Sequence, residues 1–248
     1  MRHEPPEAAA QVPGQYSPRA GCPAPGLAGA FLLPVARRML TVIARPGQES
    51  AELGALLYAS RRAGASLALL SVTRGEASPL NATCERLESL RPWELNAAAG
   101  VLGISSVAVA DFPDGRLCRC PVQAITARVE REMARHAPDL LLIADPFMAG
   151  SDEAVLAQAV CAAAERAGVP AVAGAVPAAG GGWLTDLGAA AAGARAAQRA
   201  AAAAHESQVE AMPAVRWHLS SLGRGERLRW LAAGGGRDAH ALGRVRVI

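Results

Sequence analysis

Five short apolar runs recur along the chain and restrict it to one kind of architecture: MLTVIA (39–44), SLALLSV (66–72), SVAVA (106–110), DLLLIA (139–144) and PAVAGAV (170–176). Runs so continuously apolar are strands covered on both faces, not strands with one wet side. The segments between most of them carry helical patterns, so each crossover returns the chain to the same sheet. The reading is an α/β fold, a Rossmann-like three-layer α/β/α arrangement around a mostly parallel sheet.

The crossovers are read in order. Glu49 to Arg62 begins the first helix, with Ser50 as its cap and Gly64 as its stop. Arg86 to Leu102 is the second, and Pro92 inside it predicts a kink or a break into two pieces. Pro121 to His136 opens on a first-turn proline, and Asp152 to Ala167 closes at Gly168. After Pro177 come the glycine turn Gly180–Gly182 and the segment WLTDL. Ala189 to Ala204 is alanine-rich and therefore helix-favouring, since Ala loses no side-chain entropy on ordering.

Residues 1–37 are rich in Pro, Ala and Gly and are read as a disordered tail; 38–232 form one domain, and 233–248 a loose C-terminal tail. Within the first tail GLAGAFLLPVA is too short to span a bilayer, and acids precede it where a leader would be basic, so it is a poor signal peptide. Met39 is read as an alternative start.

At 248 residues and 51% hydrophobic the chain can bury a sizeable core. Its net charge of +3 comes from 25 basic and 22 acidic residues that are interspersed, which gives no stripe for a phosphate backbone and excludes nucleic acid as a natural partner. Five cysteines, an odd number in a chain with an adequate core, suit a reducing cytoplasm. Cys118 and Cys120 have no second Cys/His pair nearby and are not read as a zinc site.

In open parallel sheets ligands bind beyond the carboxyl ends of the strands. That directs attention to Arg45–Glu49, Thr73–Ser78, Asp111–Gly115 and Asp145–Glu153. The first loop is no dinucleotide or P-loop fingerprint, because only Gly47 precedes the helix and no Lys-Ser or Lys-Thr follows. No Gly-x-Ser-x-Gly elbow occurs either.

The loops do resemble one known family in order and spacing. RRMLTVIARPGQES is similar to the opening strand and His-Pro-Asp-Asp-Glu loop of the PIG-L/LmbE-like N-deacetylases. LLSVTRGEAS resembles their Thr-x-Gly-Glu-Ala loop, RPWELNAAAGVLGI their Arg-x-x-Glu-Leu helix, and VADFPDGRL their Pro-Asp-Gly-x-Leu. HAPDLLLIADPF resembles their Pro-Asp strand, and AAHESQ their late His-x-Ser-Gln. The similarity runs from about Arg37 to Trp230. It implies a zinc-dependent amidase acting on N-acetylglucosamine-type substrates, in which His and Asp side chains hold the ion and an Asp serves as general base toward metal-bound water.

Carried over residue by residue, the three ligand positions fall on Arg45, Gln48 and Glu153. The base position falls on Gly47, and an oxyanion or acid His position on Gly150. Pro46 and Glu49 match the family. A guanidinium does not give up its proton, Gln48 offers one neutral oxygen, and Gly47 accepts no proton. An oxygen-only site from Glu49, Asp145, Asp152 and Glu153 would suit Mg²⁺ or Ca²⁺, but these acids equally serve helix N-termini and turns. His136, at a helix end, and the late His218 and His240 do not rebuild the site, and His205 is read as a packing or hydrogen-bonding residue.

The favoured reading is a catalytically impaired member, a pseudoenzyme of the deacetylase fold with no metal or other cofactor, retaining a small-ligand pocket. Arg45, Glu49, Arg74, Arg91 and Asp145 are its candidate residues, for an amino-sugar or an anionic ligand. The alternative is an active N-deacetylase that uses zinc or an unusual metal. A third reading is an interaction module built on the alanine helix or the proline-rich tail.

Overall fold

The computed structural model describes residues 36–79, 86–146, 151–176, 182–209 and 222–232. The expected tails, apart from residues 36 and 37, lie outside the described residues, as do Gly150, His218 and His240.

All five apolar runs are strands: β1 (Arg38–Ile43), β2 (Ser66–Thr73), β3 (Ser106–Phe112), β4 (Leu140–Ala144) and β5 (Ala171–Gly174). They pair in parallel in the order β3-β2-β1-β4-β5. The order turns back at β1, whose neighbours are β2 on one side and β4 on the other, so a crevice opens beyond the carboxyl ends of β1 and β4.

Alternation along β1 sorts the core into two layers. Leu40 and Val42 face a cluster completed by Ile125 and Val129 of α4 (Val122–His136) and by Leu156 and Val160 of α5 (Ser151–Ala167). Met39 and Ile43 face the other way. There they meet Leu56 and Leu57 of α2 (Gly54–Arg62), Leu95 of α3 (Leu87–Leu102) and Ala201 of α6 (Ala191–Ala203). The three-layer sandwich follows from that division.

Four details depart from the sequence reading. The first crossover is two helices, α1 (Gln48–Ala51) and α2, because Gln198 of α6 donates to the Ala51 carbonyl at 3.0 Å and the turn at Glu52–Leu53 follows. Ser50 caps nothing: its hydroxyl donates to Glu49 at 2.6 Å, and Gly47 at φ 103° leads into α1. Pro92 does not split α3, which runs as one helix through it. Proline removes the N–H that would bind the Glu88 carbonyl, and Arg74 stands 3.5 Å from that oxygen in its place. Finally, WLTDL supplies β6 (Trp183–Asp186), which pairs antiparallel with β7 (Gly225–Ala232), itself antiparallel to β5. Among the described residues the sheet therefore has seven strands and a mixed edge.

Candidate functional site

A cavity of about 370 Å³ lies at the crevice, walled by the loops after β1 and β2, the start of α5 and the segment after α6. Its shape depends on Arg91. That side chain is 4% exposed and donates from Nη1 to the Gly75 carbonyl and from Nη2 to the Pro46 carbonyl, so one planar fork ties the first loop to the second. Gly75 sits at φ 76°, and a Cβ there would crowd the Arg91 guanidinium, so the turn favours glycine. Burial holds the Arg91 guanidinium below its ordinary range, with Asp114 the main opposing influence.

The second loop is fixed in turn by the Pro-Asp-Gly turn after β3. Asp114 accepts from Thr73 Oγ1 at 3.3 Å and from Ala77 N at 3.1 Å, while Glu76 accepts from Asp114 N at 2.9 Å. The late His-Glu-Ser-Gln segment closes the other side. Ser207 donates to Glu94 of α3 from both N (2.7 Å) and Oγ (2.8 Å), and Ser78 Oγ donates to Gln208 at 2.6 Å. Segments far apart in sequence thus meet at one site.

At its floor stand Arg45, Gln48 and Glu153, brought together from 45–48 and 153. Arg45 is ion-paired with Glu153 Oε1, and Gln48 Nε2 donates to the same oxygen at 3.1 Å. The Gln48 carbonyl oxygen already accepts from Ala44 N (2.9 Å) and Arg45 N (3.3 Å). A zinc ion needs three neutral or anionic donors facing a common point. Here one position carries a cation, one a committed amide and one a carboxylate already matched to that cation. The residues present do not fit zinc, and among the described residues no three His, Cys, Asp or Glu side chains form a metal-holding group.

Glu49 does not line the cavity; it lies fully buried beneath it. Burial opposes its charge, but pairing with His205, whose Nε2 is 2.6 Å away, and hydrogen bonds from Ser50 and Gly47 N hold its carboxyl below the usual value. His205 lines the cavity and is 2% exposed, with Nδ1 unpartnered.

Glu52 also lines the cavity and was not singled out from the sequence. Its signal was there: it follows Gln48 by four positions, the spacing that puts two side chains on one helical face. Gln48 Nε2 is 3.4 Å from Glu52 Oε1. Burial pushes the Glu52 carboxyl up, and the hydrogen bond from Gln48 and the charge of Arg45 only partly offset it.

The other candidates lie apart from the cavity wall. Arg74 is half-buried and pairs with the exposed Asp111 at 2.5 Å. Asp145 is buried and ion-paired with Arg229 of β7, which fastens the mixed edge to the end of β4. Asp152 accepts from Leu117 N at 2.9 Å and holds the turn before α4.

Comparison with known structures gives the same architecture. The chain is similar to a deacetylase of the teicoplanin biosynthesis pathway, with 17% identity, TM-score 0.64 and coverage of 78% of this chain and 96% of that one. It is similar to the N,N'-diacetylchitobiose deacetylase of Pyrococcus horikoshii, with 14% identity, TM-score 0.65 and coverage of 79% and 84%. A 4-carboxy-2-hydroxymuconate hydratase from Pseudomonas putida also shares the fold, with 16% identity, TM-score 0.55 and coverage of 78% and 95%. A search of curated proteins found no match. The family model described as PIG-L, GlcNAc-PI de-N-acetylase, matches residues 40–164, half of the chain. On that match, and with this fold, the chain belongs to the PIG-L family.

Proposed function

We propose that this PIG-L family protein is a pseudoenzyme, free of zinc catalysis, that binds a small polyhydroxylated molecule in the cavity beside Arg45. One observation carries the reading: the guanidinium of Arg45 is ion-paired with Glu153 and Gln48 Nε2 donates to the same carboxylate oxygen, so the positions that would have to hold the ion are matched to one another. An internal cation does there what an external one would do electrostatically, but it offers no open position and no activated water. Gly47, at the base position, has no side chain to take a proton.

Charge decides between the two ligand classes. The wall carries Arg45 and Arg91 against Glu52, Asp114 and Glu153, and Arg45 is already matched by Glu153. A further anion would meet a wall with no surplus of positive charge, whereas hydroxyl groups find acceptors. The sugar-like substrate named for the Pyrococcus relative agrees with that choice. Cys118, Cys120 and Cys161 are free thiols, which supports a cytoplasmic setting. Among the described residues no helix is long and apolar enough to cross a membrane.

The test is metal content together with turnover. Purified protein dialysed against zinc-containing and then zinc-free buffer is expected to retain no stoichiometric zinc and to release no acetate from N-acetylglucosamine. Retained zinc with acetate release would restore the alternative, an active N-deacetylase.

A further inference from the structure

We infer that the face at the amino ends of the parallel strands seats on an anionic membrane surface, with the cavity at the opposite end turned to the aqueous side. The inference is independent of what the cavity binds.

The face is built from arginines of separate elements. Arg37 precedes β1 and Arg38 opens it, Arg61 and Arg62 end α2, and Arg135 stands in the last turn of α4. Parallel pairing carries these ends to one side of the molecule. Ser66 N, which follows α2, donates to the Arg37 carbonyl at 2.8 Å, and Arg38 Nε donates to the Ala137 carbonyl at the end of α4 at 2.6 Å. Arg61 lies across Gly103, which caps α3.

Arg37, Arg38, Arg61, Arg62 and Arg135 are all exposed, and none is ion-paired among the described residues. Arg166, at the end of α5, is matched by Glu130 at 2.9 Å. The acids near this face are the exposed Glu165 and Asp139, whose carboxylate accepts from the backbone N–H groups of Arg37 and Arg38 at 3.0 Å. Positive charge is therefore in excess here.

Helix dipoles account for part of the pattern, since a cation is favoured in the last turn of a helix. They do not account for the whole. Arg38 already takes an open carbonyl at the end of α4, and Arg37 belongs to no helix. Guanidinium groups left in water without partners, gathered from several elements, make a broad surface for phosphate and carboxylate head groups.

Two apolar features favour a bilayer over other polyanions. Val101, 41% exposed, stands two residues before Gly103 at the end of α3. The chain also reaches Arg37 from GLAGAFLLPVA (26–36), which carries no charge and whose last residue packs on the core. That stretch is too short to span a bilayer and suits its surface. Firm attachment takes an apolar signal and a polybasic one, and here the two are consecutive in sequence. A strand of nucleic acid would give the apolar stretch nothing to enter. Because the cavity lies beyond the carboxyl ends of the strands, a molecule seated this way opens its pocket to ligands dissolved in water.

Cosedimentation of the full chain with phosphatidylcholine vesicles, with and without about one third phosphatidylserine, tests this. Binding is expected only where phosphatidylserine is present, and it should weaken steeply as salt is raised. Each arginine near such a surface strengthens binding about fivefold, so Arg61→Gln with Arg62→Gln should weaken it about twentyfold. Should that variant not fold, Arg37→Gln with Arg135→Gln serves instead, with the same expected loss. Leu32→Ser with Leu33→Ser should weaken binding and leave its salt dependence in place. No binding to phosphatidylserine vesicles, equal binding to both kinds of vesicle, or binding indifferent to the arginine variants would overturn the inference. Tighter binding of a single-stranded oligonucleotide that displaces the vesicles would overturn it too and assign the face to nucleic acid.

Discussion

His205 Nε2 and Glu49 Oε1 stand 2.6 Å apart with both side chains shut away from solvent, a bond that spans 156 residues of sequence. It fastens the late His-Glu-Ser-Gln segment to the first loop. Removing one member of a buried pair leaves the other without compensation, at a cost of about 3 kcal/mol. His205→Ala is therefore expected to lower the urea midpoint strongly, and Glu49→Gln to lower it less, since an amide still accepts from imidazole.

The same pair sets an acid limit. The folded Glu49 carboxyl lies below its ordinary value of 4.5. A lowered folded value contributes stability above the unfolded one and loses it as pH falls through the folded one. Urea midpoints measured downward from neutral pH should begin to fall near that ordinary value and continue below it. Glu49→Gln should flatten that part of the curve, and an unchanged slope would contradict the assignment.

Rebuilding the metal site checks the positional correspondence. Arg45→His, Gln48→Asp and Glu153→His together replace the guanidinium, the amide and its partner with zinc-type ligands, and the folded variant is expected to retain zinc through dialysis. Adding Gly47→Asp places a side chain at φ 103°, which should cost about 1 kcal/mol or more. A folded triple variant that takes no zinc would count against the correspondence.

Gly75 and Arg91 should prove energetically coupled. Gly75→Ala drives a methyl into the guanidinium and strains a left-handed backbone, while Arg91→Ala alone frees the Gly75 and Pro46 carbonyls. In the Arg91→Ala background the alanine at 75 meets less, so the double variant should lose less stability than the two singles added, by about 1 kcal/mol. Strict additivity would mean the two loops are held by something else.

Pro92→Ala is expected to stabilise. The helix already runs unbroken past this residue, and alanine restores the N–H that the Glu88 carbonyl lacks. Pro is about 3 kcal/mol less favourable than Ala in a helix interior, and part of that should appear as a rise in melting temperature.

The parallel half of the sheet was legible because β1, β2, β4 and β5 are buried on both faces along almost all their length and the partly buried β3 keeps an apolar run of its own. The antiparallel edge was not. Strand β7 reads GERLRWLA, and its arginines look like surface residues until Arg229 meets Asp145 and Arg195 of α6 meets Glu226. Those partners come from other elements, so no local pattern discloses them. The break between α1 and α2 is hidden for the same reason, since the residue that takes the Ala51 carbonyl is Gln198. At the site the loops were legible from their glycines and their order. Glu52 carries no loop signature, since its place in the wall follows only from its four-residue spacing from Gln48.

Arg91 holds the two loops by their carbonyl oxygens and not by their side chains. Every residue type has that oxygen, so the mouth keeps its outline whatever stands at 45 or 48. Reactivity can be rewritten there without redrawing the vessel, which makes this crevice a natural chassis for installing new chemistry.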